Sequence, residues 1–118
     1  MDTTEVVLIT GTSTGFGRLM AETLSRQGHT VFASMRNVGG RNAAAAAQLR
    51  ALAKDEHLSL QVVELDVTDD ASVGNAVSAV IDQAGRIDVL VNNAGFAYIG
   101  ITETYTVEQA QQIFDVNF

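Results

Sequence analysis

Residues 10–17 read TGTSTGFG and follow the apolar run VVLI at 6–9. Glycines at 11, 15 and 17 in so short a loop need a reason, because glycine loses more backbone freedom on folding than any other residue. A helix opening at this point supplies one: its unpaired N–H groups and the positive end of its dipole hold phosphate, and glycines let the ligand come close. The spacing G-x-x-x-G-x-G departs from the dinucleotide fingerprint G-x-G-x-x-G. It also lacks the lysine of the triphosphate loop G-x-x-x-x-G-K-S/T, so an ATPase or GTPase of that kind is excluded. Two further stretches have the chemistry of a binding site. NNAG at 92–95 puts two amides beside two small residues, a combination that bridges backbone groups and leaves room for a ligand, or makes a turn. LDV at 65–67 ends an apolar run with Asp66, which either accepts from an adenine edge while a neighbouring N–H donates to it, or only precedes a helix cap near Thr68 and Asp69.

The elements that must position these residues are legible from periodicity. Strand-like runs at 5–10, 30–34, 58–65 and 87–91 alternate with helical patterns, the mark of β-α-β units around a parallel sheet. VVLI and VLV are apolar at every position, as central strands covered on both faces are. Phe16, Leu19, Met20, Thr23 and Leu24 fit one amphipathic stripe, and Val73, Ala76, Val77, Val80, Ile81 and Ala84 fit another. Gly74 weakens that second helix by roughly 1 kcal/mol relative to alanine. NAAAAAQLRALAKDE at 42–56 predicts a thin helix, with Leu49, Leu52 and Ala53 on its apolar side. A last helix is expected from Thr106, where Thr106 and Gln109 match a capping box, to the end of the chain.

Length and composition narrow the classes. The 118 residues suffice for one modest core, hence one domain or part of one. A formal charge of −7 argues against nucleic acid and anionic membrane surfaces, both of which need a basic face. Without cysteine there is no disulfide or thiolate metal site, and His29 and His57 are too isolated in the sequence to suggest a ligand cluster. No long apolar run or signal segment is present, so a cytoplasmic location is expected.

TGTSTGFG, the DV pair at 66–67, NNAG, and Asn117 within DVNF together resemble the ordered motifs of the short-chain dehydrogenase/reductase family, over essentially the whole chain. The resemblance implies an α/β fold: a doubly wound parallel sheet of the Rossmann type, present in part, with about four strands in the order 3-2-1-4. Residues 1–118 would be the N-terminal part of its dinucleotide-binding domain. It implies that Gly11, Thr12, Ser13, Thr14, Gly15, Phe16 and Gly17 hold the cofactor from one side and Asn93, Ala94 and Gly95 line it from the other. Asp66 and Val67 would meet the adenine. Asn117 would belong to the catalytic set, as the asparagine that helps position a catalytic lysine.

The choice of cofactor rests on the second strand. An NAD site usually carries an acid about 20 residues beyond the glycines, on the ribose 2′-OH. Here Met35 takes that place and Arg36 follows. An arginine grips a 2′-phosphate with charge-assisted bonds worth about 1.5–3 kcal/mol, roughly ten- to hundredfold in affinity. NADP(H) is therefore expected, with NAD as the second choice. A methyltransferase on a similar sheet is disfavoured by the same missing acid. The family's Tyr-x-x-x-Lys pair is not found: Tyr98 and Tyr105 are followed four residues later by Thr102 and Gln109, and the sole lysine, Lys54, lies in the second helix.

The expectation is thus the cofactor-binding half of a longer oxidoreductase acting on a small-molecule carbonyl or alcohol, inactive alone and homo-oligomeric when complete. The other reading is a non-catalytic dinucleotide-binding module such as a redox sensor. Residues 96–105 are expected as a loop, either walling a substrate pocket through Phe96, Tyr98 and Ile99 or joining the core. Such an ending leaves the fourth strand as an exposed apolar edge.

Overall fold

The structure, a computed structural model, describes residues 4–93 and, as backbone only, residues 100–105. The helix expected from Thr106 lies outside the described residues, as do Ala94, Gly95 and Asn117.

Strands β1 (Val6–Ile9), β2 (Thr30–Met35), β3 (Leu60–Glu64) and β4 (Ile87–Asn92) alternate with helices α1 (Gly15–Arg26), α2 (Ala43–Asp55) and α3 (Asp70–Ala84). The four strands are parallel in the order β3-β2-β1-β4, as the resemblance implies. A fifth strand, β5 (Gly100–Tyr105), pairs antiparallel with β4, with Val91 opposite Ile101 and Val89 opposite Glu103. Over residues 100–105 this pairing corrects the expected loop, and it corrects the bare edge of the fourth strand; residues 96–99, with Phe96, Tyr98 and Ile99, lie outside the described residues. ITETY is rich in β-branched and aromatic residues, and pairing satisfies backbone groups that an open edge leaves unpaired.

Both faces of the sheet are covered, which is why the central strands are apolar throughout. Along β1, Val6 and Leu8 join Phe32, Leu90 and the α3 residues Val73, Ala76, Val77 and Val80 in one core. Val7 and Ile9 point the other way, to Ala21 of α1, Ala46 and Leu49 of α2, and Val31, Ala33 and Val91. The alternation is the period of two of an extended chain.

The first helix differs from its expected stripe. Gly17, Ala21 and Ser25 are its buried residues, whereas Phe16 and Leu19 are 68% and 59% exposed. Small side chains four apart let α1 lie close on the sheet, so the inward face is set by size and not by hydrophobicity. Met20 and Leu24 pack partly against the core, and with Leu19 they wall an apolar groove that Val7, Val89 and Val91 floor.

Candidate functional site

Strand order reverses between β1 and β4, which opens a crevice at their carboxyl ends, and small polar side chains lace that end together. The Thr10 N–H donates to Val91 O at 3.0 Å, and Thr10 Oγ1 accepts from the Asn93 N–H at 2.9 Å. Asn93 Nδ2 donates to Gly11 O at 3.2 Å, which joins the glycine loop to the NNAG corner. Thr12 donates to Ser34 O from both its N–H, at 3.1 Å, and its hydroxyl, at 2.9 Å, while Ser34 Oγ donates to Ile9 O at 2.8 Å. Thr10 and Ser34 were missed by sequence reasoning. Their signal was a hydroxyl residue closing or nearly closing an apolar strand. Asn92 Oδ1 is buried without a partner among the described residues.

The opening of α1 is left uncapped. Thr14 makes no side-chain cap bond and no acid stands in the first turn, so the positive helix end keeps its electrostatic preference for an anion. Gly15 has φ +64°, with open space where a Cβ would stand. Gly17 is the opposite case: a Cβ there would overlap the Gly11 carbonyl oxygen and come within 2.6 Å of Asn93 Nδ2. The loop therefore closes on the Asn93 side and opens on the Gly15 side.

A cavity of about 410 Å³ occupies the crevice. Of the predicted site residues, Gly11, Ser13 and Thr14 line it from the loop, Arg36 from the end of β2, Asp66 and Val67 from the end of β3, and Asn93 from the end of β4. Thr12 turns into the sheet toward Ser34, and Phe16 points to solvent; neither lines the cavity. Gly15 and Gly17 shape the loop without lining the space. Arg41 and Asn42, in the segment between β2 and α2, also line the cavity and were not foreseen.

Asp66 Oδ1 accepts from the Thr68 hydroxyl at 2.7 Å and the Thr68 N–H at 3.0 Å. Those two bonds, with the charge of Arg36 adding to them, hold its carboxyl below the usual carboxylate range. It is ionised at neutral pH and acts as an acceptor, beside a Val67 N–H that makes no hydrogen bond among the described residues. The helix cap is a separate residue: Asp69 Oδ1 accepts from the N–H groups of Ala71 and Ser72. Asp66 precedes that cap, and it also lines the cavity.

The donor set suits a dinucleotide: a helix N-terminus with neither a side-chain cap nor a first-turn acid for the diphosphate, an acceptor and a donor for the adenine edge, and the guanidinium groups of Arg36 and Arg41. The family model described as short chain dehydrogenase matches residues 5–118. This chain is a member of the short-chain dehydrogenase family. It is 35% identical over 118 residues to the 3-ketodihydrosphingosine reductase of Bacteroides thetaiotaomicron, covering 97% of this chain and 37% of that protein. It is 38% identical over 120 residues to retinol dehydrogenase 8 of Bos taurus, covering 99% of this chain and 36% of that one. The chain thus spans little more than a third of the length of these two relatives. Among solved structures, a variant of actinorhodin polyketide ketoreductase with NADPH superposes with a TM-score of 0.68 at 31% identity, over 81% of this chain and 36% of that one. The short-chain dehydrogenases are oxidoreductases that use NAD(P).

Proposed function

We propose that this short-chain dehydrogenase binds NADP(H) in the crevice and forms the cofactor-binding half of an oxidoreductase acting on a small-molecule carbonyl or alcohol. When bound, the nicotinamide gives or accepts the hydride. The residues here do the holding. The N-terminus of α1 and the loop from Gly11 to Gly17 take the diphosphate, Asp66 and Val67 take the adenine, and Asn93, Ala94 and Gly95 line the opposite side. Asn117 is assigned to the catalytic set on the resemblance. The reading includes a cytoplasmic location and a homo-oligomer for the complete protein, the latter testable by light scattering on a sizing column.

The observation that carries the choice of NADP(H) is the end of β2. Met35 is 2% exposed and packs in the core, and Arg36 follows it, exposed at the cavity. The strand's last residue is thus a methionine and not an acid that would repel a 2′-phosphate. Calorimetric titration of NADPH and NADH into wild type and Arg36→Ala tests it. We expect NADPH to bind wild type more tightly, and the variant to lose roughly ten- to hundredfold of that affinity. Equal NADPH affinity in the two proteins removes the claim.

The absence of any tyrosine followed four residues on by lysine favours a second reading for a protein that carries no such pair, a non-catalytic NAD(P)-binding module. Carbonyl reduction by the purified 118-residue chain is expected to be nil under either reading. NADPH binding by a complete protein that lacks the pair would select the second.

A further inference from the structure

The segment from Arg36 to Asn42 leaves the sheet at the mouth of the cavity, and its shape is imposed from outside. Glu64, the last residue of β3, is in register with Met35, the last of β2. Its carboxylate accepts from two successive amides of the segment, Asn37 N–H and Val38 N–H, at 3.0 Å each. Asn37 is left-handed at φ 53°, a conformation asparagine adopts more readily than most residues. Its carbonyl then accepts from the N–H groups of Gly40, at 3.0 Å, and Asn42, at 2.9 Å. Asn42 Nδ2 returns to Arg36 O at 2.6 Å, which is why this cap residue makes no side-chain cap bond to α2. The segment is thus folded back on itself, and both of its arginines, Arg36 and Arg41, line the cavity.

Charge distribution adds an independent observation. Of the chain's seven basic residues, Arg18, Arg26 and Arg86 are in ion pairs. Among the described residues Arg36, Arg41, Arg50 and Lys54 are in none; of these four, Arg36 and Arg41 line the cavity, whose lining contains one carboxylate, Asp66. A protein with a net charge of −7 therefore has two guanidinium-bearing residues without ion-pair partners in the lining of one cavity. Glu64 itself does not line that cavity, and its two oxygens are engaged by the amides.

We propose that Glu64 is a positioning residue for cofactor choice: by gripping the Asn37 and Val38 amides it sets the segment so that Arg41 joins Arg36 as a second cationic ligand of the 2′-phosphate. The inference rests on the NADP(H) reading and extends it to two residues outside the glycine loop. Two guanidinium groups converging on one phosphate supply charge-assisted bonds that a single flexible arginine cannot.

The test measures NADPH, NADH, adenosine 2′,5′-bisphosphate and 5′-AMP binding by calorimetry to wild type, Arg41→Ala, Glu64→Ala and Glu64→Gln, each checked for folding by circular dichroism. Arg41→Ala is expected to weaken NADPH and the bisphosphate about tenfold, and NADH and 5′-AMP less than twofold. Glu64→Ala should weaken the same two ligands about three- to tenfold, because the arginines are still present but no longer held. Glu64→Gln, which keeps one acceptor, should lose less than Glu64→Ala, and it remains informative if the alanine variant does not fold. An unchanged NADPH-to-NADH ratio in Arg41→Ala or in the Glu64 variants overturns the proposal, as does an equal loss for all four ligands, which marks a merely structural role. A wild type that binds neither dinucleotide instead removes the NADP(H) reading, and the proposal with it.

Discussion

Gly15 and Gly17 are two residues apart and are glycines for different reasons, so substitution separates them. At Gly17 the obstacle is space, since a Cβ overlaps the Gly11 carbonyl and crowds Asn93 Nδ2. Gly17→Ala should destabilise the fold by about 1–3 kcal/mol, the usual range for overpacking. Because the atoms it displaces join the loop to β4, dinucleotide affinity should fall at least tenfold in calorimetry, even at temperatures where the variant is folded. At Gly15 the obstacle is backbone handedness, at φ +64° with nothing within 4 Å of a Cβ. There Gly15→Ala should cost about 1–2 kcal/mol, and Gly15→Asn distinctly less, because asparagine visits the left-handed region. Urea denaturation of the three variants checks the order, and Gly15→Asn proving no better than Gly15→Ala would remove the argument from handedness.

Among the elements, β1 is the shortest parallel strand and the one to which both β2 and β4 are bonded. Its start is pinned by Asp88 of β4, whose Oδ2 accepts from the Val6 N–H at 2.8 Å and from Arg86 Nε at 2.7 Å. Burial is the largest single influence on that carboxyl and pushes it up. The Val6 amide and Arg86 together outweigh it and hold the group below its ordinary value of 3.8. A depressed carboxylate contributes stability that is fully present above its unfolded value and is lost as pH falls through the folded one. Asp88→Ala should therefore cost about 1–2 kcal/mol at pH 7. The gap from wild type should stay constant down to about pH 5 and shrink toward zero below about pH 3. Chemical denaturation at stepped pH measures it, and a gap that widens in acid would contradict the sign.

At the scale of the whole molecule, a ligand that binds only the folded chain stabilises it by mass action. NADPH at a hundred times its dissociation constant adds about 2.7 kcal/mol, which for a domain of this size raises the melting midpoint by roughly 10 °C. NADH at the same concentration should raise it less, and a melt unmoved by either would deny the crevice its ligand. The four parallel strands, the three helices and the TGTSTGFG and NNAG stretches were determined by the sequence itself, because apolar period and glycine spacing are local properties that any window of the chain displays. The same locality explains the failures. A stripe drawn through Phe16 and Leu19 follows hydrophobicity, while the inward face of α1 is chosen by how closely a helix can approach the sheet, and that selects Gly17, Ala21 and Ser25. The antiparallel strand at 100–105 depends on a neighbouring edge in space, which no period reveals. Only tertiary structure could place Glu64 against the segment that bears Arg36 and Arg41, because those contacts join residues up to 27 positions apart and exist only once parallel strands have set their ends side by side.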